Sequence, residues 1–207
     1  FEDIRRQGVP VVLVDRFFTS LGCSYTTTDD RQVGWLAARH LIAGGHRRIA
    51  FLAGPDVSAA RLRKEGFLAA LAEHGLELAE GYLEFGNFRF AESRAATQRL
   101  LELPARPTAI VAANDMSAFG AIRACREAGL RVPEDMSIIG AGNVEGDQHP
   151  NPFLTTIGWD RLEMGRQAAR ILLGHMGNPK MEPVVHRFPP AVLVRHSTRE
   201  LSQSAGG

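Results

Sequence analysis

The sequence predicts an α/β fold built on open parallel sheets, and three observations lead to this prediction. Short apolar runs alternate along the chain with longer segments whose apolar residues recur every three or four positions. The apolar runs end in polar or glycine-rich residues, which is typical of strands buried on both faces of a parallel sheet. The 207 residues, 44% of them hydrophobic, can fill the core of one large domain or of two small lobes. This alternation argues against a β-sandwich or a helical bundle.

The first half of the chain alternates strand and helix three times. Acidic residues Asp29 and Asp30 stand where a cap would precede the first helix, and glycines follow the first two helices. The predicted strands are Pro10–Arg16, Arg48–Ala53 and Tyr82–Phe85, and the predicted helices are Gln32–Ile42, Ala60–His74 and Ala91–Leu103.

The segment Thr108–Asn143 forms a complete βαβ unit. Ala109–Ala113 is a short buried strand, Asp115 is the predicted N-cap of a helix that stops at Gly129, and Ser137–Ala141 is the next strand. Right-handed crossovers make the two strands parallel, and parallel sheets bind ligands outside the carboxyl ends of their strands.

The alternation stops after Asn143. Residues 144–153, rich in glycine and proline, are predicted to be a loop, and residues 154–157 are predicted to be a short strand. A helix is predicted over Asp160–Leu173, with one apolar side comprising Leu162, Gly165, Ala168, Ala169 and Leu172. Two strands separated by Pro189 and Pro190 follow, and the chain from Arg199 onward is predicted to be a frayed polar tail.

Composition excludes several classes of protein. The net charge is +1 and the arginines are scattered, so this segment is not predicted to wrap nucleic acid. Cys23 and Cys125 lie far apart, which favours free thiols in a reducing compartment. No apolar run has membrane length, and the N-terminus has neither a signal-peptide pattern nor an initiator Met. We therefore expect residue 1 not to be the natural start of the protein.

The chain carries no motif for catalysis, a cofactor or a metal. Glycines 140, 142 and 146 imitate a dinucleotide-binding turn, but prolines rather than a helix follow them. His40 and His46 straddle a helix end instead of sharing one face, so no metal site is predicted. A nucleophile elbow and a phosphate-binding loop are also missing from the sequence. The sequence therefore predicts a protein that is not an enzyme and that needs no cofactor.

Polar and aromatic residues near the predicted strand ends remain as candidates for ligand binding. Taken singly, Arg63 could be a solvated helix residue, Phe88 a core residue and Asp115 a helix cap. Taken together, they surround the one edge where a parallel sheet binds ligands. The candidate ligand-binding residues are Arg63, Phe88, Asn114, Asp115 and Asn143.

Several motifs in register resemble one family. PVVLVDR, HLIAGGHRRIAFLAGP, ANDMSAFGA, GLRVPEDMSIIG, LTTI and LVRHST follow one another between about residues 8 and 199. Together they resemble the effector-binding core of LacI/GalR (lac repressor) family transcription regulators.

The resemblance implies two lobes of the periplasmic-binding-protein-like (type I) fold. The N-terminal lobe would hold residues 1–46 and 157–185 and be incomplete at its start, and the C-terminal lobe would hold residues 47–155 and 187–200, followed by the tail 201–207. A helix-turn-helix headpiece that binds operator DNA would precede the chain.

The resemblance also assigns roles to single residues. Arg63 matches the family's effector-contacting arginine, Phe88 its pocket aromatic, and Asn114 with Asp115 its pocket pair. Where the family usually reads G-(F/Y)-D-D, this chain reads Gly140-Ala141-Gly142-Asn143, so a carboxylate that commonly grips effector hydroxyls is absent. We therefore expect a bulkier effector or one with its own acceptors, such as a sugar phosphate or a sugar acid.

The sequence thus predicts the effector-binding and dimerisation core of a cytoplasmic transcription regulator, whose lobes close on a small polar effector. The helix after Asp115 presents Phe119, Ile122 and Arg123 on a second face, where the resemblance implies a homodimer interface. No membrane partner is predicted. The main alternative is a periplasmic sugar-binding protein of an ABC transporter, which would require an upstream signal peptide.

Overall fold

The computed structural model describes residues 7–144, 151–178 and 180–201. The elements, in order, are β1 (Val12–Val14), a short 3-10 helix (Thr19–Leu21), β2 (Ser24–Thr28), α1 (Asp30–Ala43), β3 (Ile49–Ala53), α2 (Ser58–Glu73), β4 (Leu83–Phe85), α3 (Phe90–Glu102), β5 (Ala109–Ala112), α4 (Asp115–Glu127), β6 (Ser137–Ala141), β7 (Thr155–Gly158), α5 (Arg161–Gly177), β8 (Val185–Phe188) and β9 (Ala191–Leu193). The start of the chain before Gln7, most of the predicted loop after Val144 and the tail after Leu201 lie outside the described residues.

The chain divides into two compact units, which confirms the predicted two-lobed α/β fold. The first unit comprises the chain up to Asp29 together with Trp159–Pro190, and the second comprises Asp30–Gly158 together with the chain from Ala191 onward. The chain passes between them at Asp29, Gly158 and Pro190 rather than near residues 46, 155 and 186 as expected from the resemblance. Helix α1 belongs to the second unit because it packs against α2.

The first unit is a parallel three-stranded sheet in the order β1-β2-β8. Helix α5 packs on β1 and β2. This helix buries Met164, Ala168 and Ile171, whereas Leu162 of the predicted apolar side is 66% exposed. The periodicity thus located the helix, but the buried stripe is shifted around its axis.

The second unit is a six-stranded sheet in the order β4-β3-β5-β6-β7-β9. All its strands run parallel except β9, which pairs antiparallel with β7. Because side chains alternate across a strand, β3 contributes to two cores. Ala50 and Leu52 join a buried cluster with residues of α3 and α4, and Phe51 packs on Phe67 of α2 at a ring separation of 4.8 Å.

The last described residues are held firmly against the second unit, contrary to the expectation of a frayed tail beginning at Arg199. Ser197 Oγ donates to the Ile138 carbonyl at 2.6 Å and accepts from the Thr155 amide at 2.8 Å. The Leu201 amide donates to the Gly44 carbonyl at 2.8 Å. These bonds fasten the chain to the sheet as far as Leu201.

Candidate functional site

The carboxyl edge of the six-stranded sheet gathers the residues predicted to bind a ligand. Strands β3 to β7 are parallel, so the turns that follow them lie along one edge. Phe88 follows β4, Asn114 follows β5 and Asn143 follows β6, and Arg63 reaches the same edge from α2. All belong to the second unit.

Arg63 is a buried member of an ion pair. Only 6% of the residue is exposed, which excludes its interpretation as a solvated helix residue. Its Nε and Nη2 atoms lie 2.8 and 2.7 Å from Asp30 Oδ1, and its Nη1 donates to the Ala113 carbonyl at 2.7 Å. The guanidinium therefore joins the start of α1 to the end of β5, and the Asp30 carboxylate compensates its charge.

Phe88 lies beside this ion pair. The Arg63 Cζ atom is 6.0 Å from the centre of the Phe88 ring, which is the outer limit of a cation–π contact. Phe88 is half-buried rather than part of the core. Its backbone has a φ of +64°, an outlier for a bulky side chain.

Asn114 caps α4 in place of the predicted Asp115. Its side-chain oxygen accepts from the Ser117 amide at 2.8 Å, as an N-cap side chain does. Its Nδ2 donates to the Phe88 carbonyl at 3.4 Å. The side chain therefore links the α4 terminus to the loop that carries the aromatic ring.

Asp115, the first residue of α4, is only 1% exposed. One carboxylate oxygen accepts from Thr156 Oγ1 and the other from the Val144 amide, each at 2.6 Å. A Cβ at Gly140 would overlap the first of these oxygens, so this glycine leaves the space for the carboxylate. Asp115 thus ties together the ends of β5, β6 and β7.

Asn143 is anchored from the far end of the chain. Its backbone has a φ of +53°, and its Oδ1 accepts from Arg195 Nη2 at 2.6 Å. Arg195 is itself fixed, because its Nη1 donates to the Leu154 carbonyl at 2.9 Å. The Asn143 side-chain carbonyl is therefore engaged within the protein.

Sequence reasoning missed Asp30 and Arg195 as parts of this site. The sequence indicates Asp30 only as a possible helix cap, because neither its burial nor its distant partner is visible in a local pattern. Arg195 lies 52 positions after Asn143, and only the antiparallel pairing of β9 with β7 brings it near.

The predicted interface residues of α4 do not form one apolar surface. Ile122 is 5% exposed and belongs to the core shared with α3, so most of its side chain packs within its own unit. Phe119 is half-buried and packs against the same core. Arg123 is exposed, and its Nε lies 2.7 Å from Glu127 Oε1.

The described residues contain no group of three or more His, Cys, Asp or Glu side chains that could hold a metal ion. Cys23 and Cys125 are both free thiols, as predicted. None of the helices within the described ranges is long and apolar enough to span a membrane.

Comparison with known proteins identifies the family. The family described as "Periplasmic binding protein-like domain" matches residues 38–198. The chain belongs to this family. Its resemblance to the effector-binding core of LacI-family regulators is confirmed by the relatives that it matches.

The relatives are transcription regulators. The HTH-type transcriptional repressor CytR of Escherichia coli K12 is 34% identical over 198 residues, which cover 95% of this chain and 58% of that protein. A LacI family regulator from Enterococcus faecium, solved with bound ribose, is 32% identical with a TM-score of 0.86 and covers 97% of this chain and 75% of its own. A complex of the transcriptional regulator CelR with cellobiose is 32% identical with a TM-score of 0.83, and the match covers 94% of this chain and 60% of the CelR chain. These relatives do not favour the transporter alternative.

Proposed function

We propose that this chain is the effector-binding core of a bacterial LacI-family transcription repressor whose effector is a small neutral molecule bearing hydroxyl groups. The observation that carries the proposal is the buried Arg63–Asp30 ion pair beside Phe88 at the carboxyl edge of the sheet. The relatives' names describe repressors, and the two solved regulators bind ribose and cellobiose.

A neutral effector follows from the charges at this edge. The expectation of a sugar phosphate or a sugar acid followed from the carboxylate missing at Gly140–Asn143 and assumed that Arg63 would meet the ligand's negative charge, but Asp30 Oδ1 lies 2.7 Å from the Arg63 guanidinium. An added anion would meet the Asp30 carboxylate as well as the Arg63 cation, so the attraction largely cancels. A hydroxyl group can donate to a carboxylate and accept from a guanidinium, and such charge-assisted bonds are the stronger ones.

The aromatic ring supports a cyclic effector. Phe88 is only half-buried, so part of the residue is accessible. An aromatic face packs well on the C–H face of a sugar or on a nucleobase. A pentose, a disaccharide or a nucleoside combines such a face with hydroxyl groups.

Regulation would occur in a longer protein, because this chain spans 58% of the length of its CytR relative. We propose that a headpiece binds operator DNA, that the protein works as a cytoplasmic homodimer, and that no catalytic step is involved. The effector changes DNA affinity by the difference in its own affinity for the two states of the regulator.

A thermal-shift panel tests the effector class. D-ribose, cellobiose and adenosine represent neutral ligands, and ribose 5-phosphate and gluconate represent anions. We expect at least one neutral compound to raise the melting temperature and both anions to have no effect. A response confined to the anions contradicts the proposal. The neutral compound should also change the affinity of the full regulator for DNA upstream of its own gene in a gel-shift assay.

The variant Asp30→Asn tests the role of the ion pair. Removing one partner of a buried pair costs about 3–5 kcal/mol of stability, and it leaves the Arg63 charge uncompensated. We expect ribose 5-phosphate to bind this variant about tenfold more tightly than it binds the wild type, while neutral ligands bind more weakly. Glu102→Gln, at an exposed acid of α3, is the control and should leave the affinities for ribose 5-phosphate and for the neutral ligands unchanged.

A further inference from the structure

The loop that carries Phe88 is held in an unfavourable backbone conformation. Asn87 and Phe88 are consecutive residues with φ values of +51° and +64°. Residues other than glycine rarely adopt this left-handed backbone conformation, and those that do are held in it by their surroundings. Backbone strain of this kind is concentrated at ligand-binding sites.

Hydrogen bonds at both ends of the loop maintain this conformation. The amides of Gly86 and Asn87 donate to the Ala53 carbonyl at the end of β3, at 3.0 and 3.1 Å. The Arg89 amide donates to the Gly86 carbonyl at 2.8 Å, and Ser93 Oγ donates to the same carbonyl at 3.2 Å. The Phe88 backbone is therefore fixed relative to β3 and α3.

The Phe88 ring packs directly against Gly54, the first residue after β3. A Cβ built on Gly54 would lie 2.5 Å from Phe88 Cζ and 2.8 Å from Cδ1, closer than carbon atoms approach without displacement. Gly54 is buried, and its φ lies outside the region that requires glycine. The ring, and not the backbone conformation, therefore excludes a side chain at this position.

We propose that Gly54 is a positioning residue for the effector site, because its missing side chain lets the Phe88 ring settle against β3 beside the Arg63–Asp30 pair. The strained loop fixes the backbone of Phe88, and Gly54 then fixes how far its ring projects from the strand. The proposal rests on the proposed function, in which Phe88 packs on the effector.

Gly54→Ala tests the proposal with little damage to the fold, since the clashing atoms belong to the far end of one half-buried side chain. D-ribose and adenosine are the probes, and calorimetry on the full chain measures their dissociation constants. We expect Gly54→Ala to weaken binding at least tenfold while the melting temperature without ligand falls by only a few degrees. Gly44→Ala is the control, since a Cβ there would make ordinary contacts no closer than 3.4 Å.

A double-mutant cycle separates positioning from a general structural effect. If Gly54 acts through the ring, Gly54→Ala has no further effect on binding in a Phe88→Ala background. An equal loss of affinity in both backgrounds overturns the proposal, as does wild-type affinity in the single variant Gly54→Ala. Phe88→Ala binding as tightly as the wild type would refute the proposed role of Phe88 in effector binding.

A crystal structure of the Gly54→Ala variant provides a test that does not depend on a ligand. The expected result is a Phe88 ring displaced from β3, with the backbone of Gly86–Arg89 in place. A ring in its original position overturns the proposal even if neither probe binds the wild type.

Discussion

At the scale of single residues, partners decide what a polar side chain does. Spacing and resemblance placed Arg63 near the ligand edge, but its partner Asp30 is 33 positions earlier on another helix. No local pattern reveals such a pair, because it depends on how α1 packs against α2. The same holds for Asp115, whose carboxylate joins three strand ends that are separate in the sequence.

His46 offers a test at this scale. The residue is 1% exposed, and its ring nitrogens lie 2.9 Å from Thr108 Oγ1 and 3.0 Å from Ser137 Oγ. Burial lowers the pKa of His46 below its ordinary value of 6.5. Since the unfolded chain then binds a proton more readily than the folded one, this contribution to stability is present above pH 6.5 and is lost as the pH falls.

The free energy of unfolding can be measured in urea between pH 7.5 and 5. As the pH falls, we expect it to decrease less steeply in His46→Gln than in the wild type. The residual slope should include His40, because burial also lowers its pKa. Parallel pH profiles for the two proteins would exclude His46 as a source of the acid sensitivity.

At the scale of elements, the sequence predicted which segments are helices and strands better than it predicted how they pack. Glycines and prolines marked most ends, and the described helices and strands follow the predicted order, except that the buried strand β2 (Ser24–Thr28) was not predicted. The predicted strand Pro10–Arg16 is shorter in the structure, Val12–Val14, since Asp15 has a φ of +67°. The buried stripe of α5 was misassigned because periodicity alone does not reveal the neighbouring elements.

The contact between α1 and α2 depends on Gly34, which periodicity could not distinguish from any other helical glycine. A Cβ on Gly34 would lie 2.7 Å from the carbonyl carbon of Arg63, an atom of the α2 backbone that cannot move alone. Gly165 of α5, in contrast, has nothing within 4 Å of the same position.

Replacing each of these two glycines by alanine should therefore change the stability of the protein in opposite directions. We expect Gly34→Ala to destabilise the protein by about 3 kcal/mol through overpacking. Gly165→Ala should stabilise it by about 0.5–1 kcal/mol, because alanine restricts the unfolded chain and favours helix. Urea unfolding of the two variants measures both effects, and a stabilising Gly34→Ala would contradict the close approach of the helices.

At the scale of the whole molecule, the homodimer remains a prediction. Ile122 is buried and Phe119 contributes to the core, so a change at either would also disturb the fold. Arg123 is the cleaner probe, because its side chain is 62% exposed. We expect Arg123→Glu to weaken the dimer in sedimentation velocity with little change in melting temperature. The control is Arg61→Glu, at an exposed arginine of α2, which should leave the dimer intact. If the dimer is equally stable in both variants, the interface does not lie on this face of α4.

The second unit is discontinuous in the chain, and this has a consequence for its synthesis on the ribosome. Strand β9 is the edge strand of its sheet and pairs with β7. Ser197, a few residues later, joins β6 to β7 through two hydrogen bonds. A nascent chain that has reached only Pro190 still exposes the unpaired edge of β7. The second unit therefore cannot be completed until residues 191–201 have emerged, after the whole first unit has been translated.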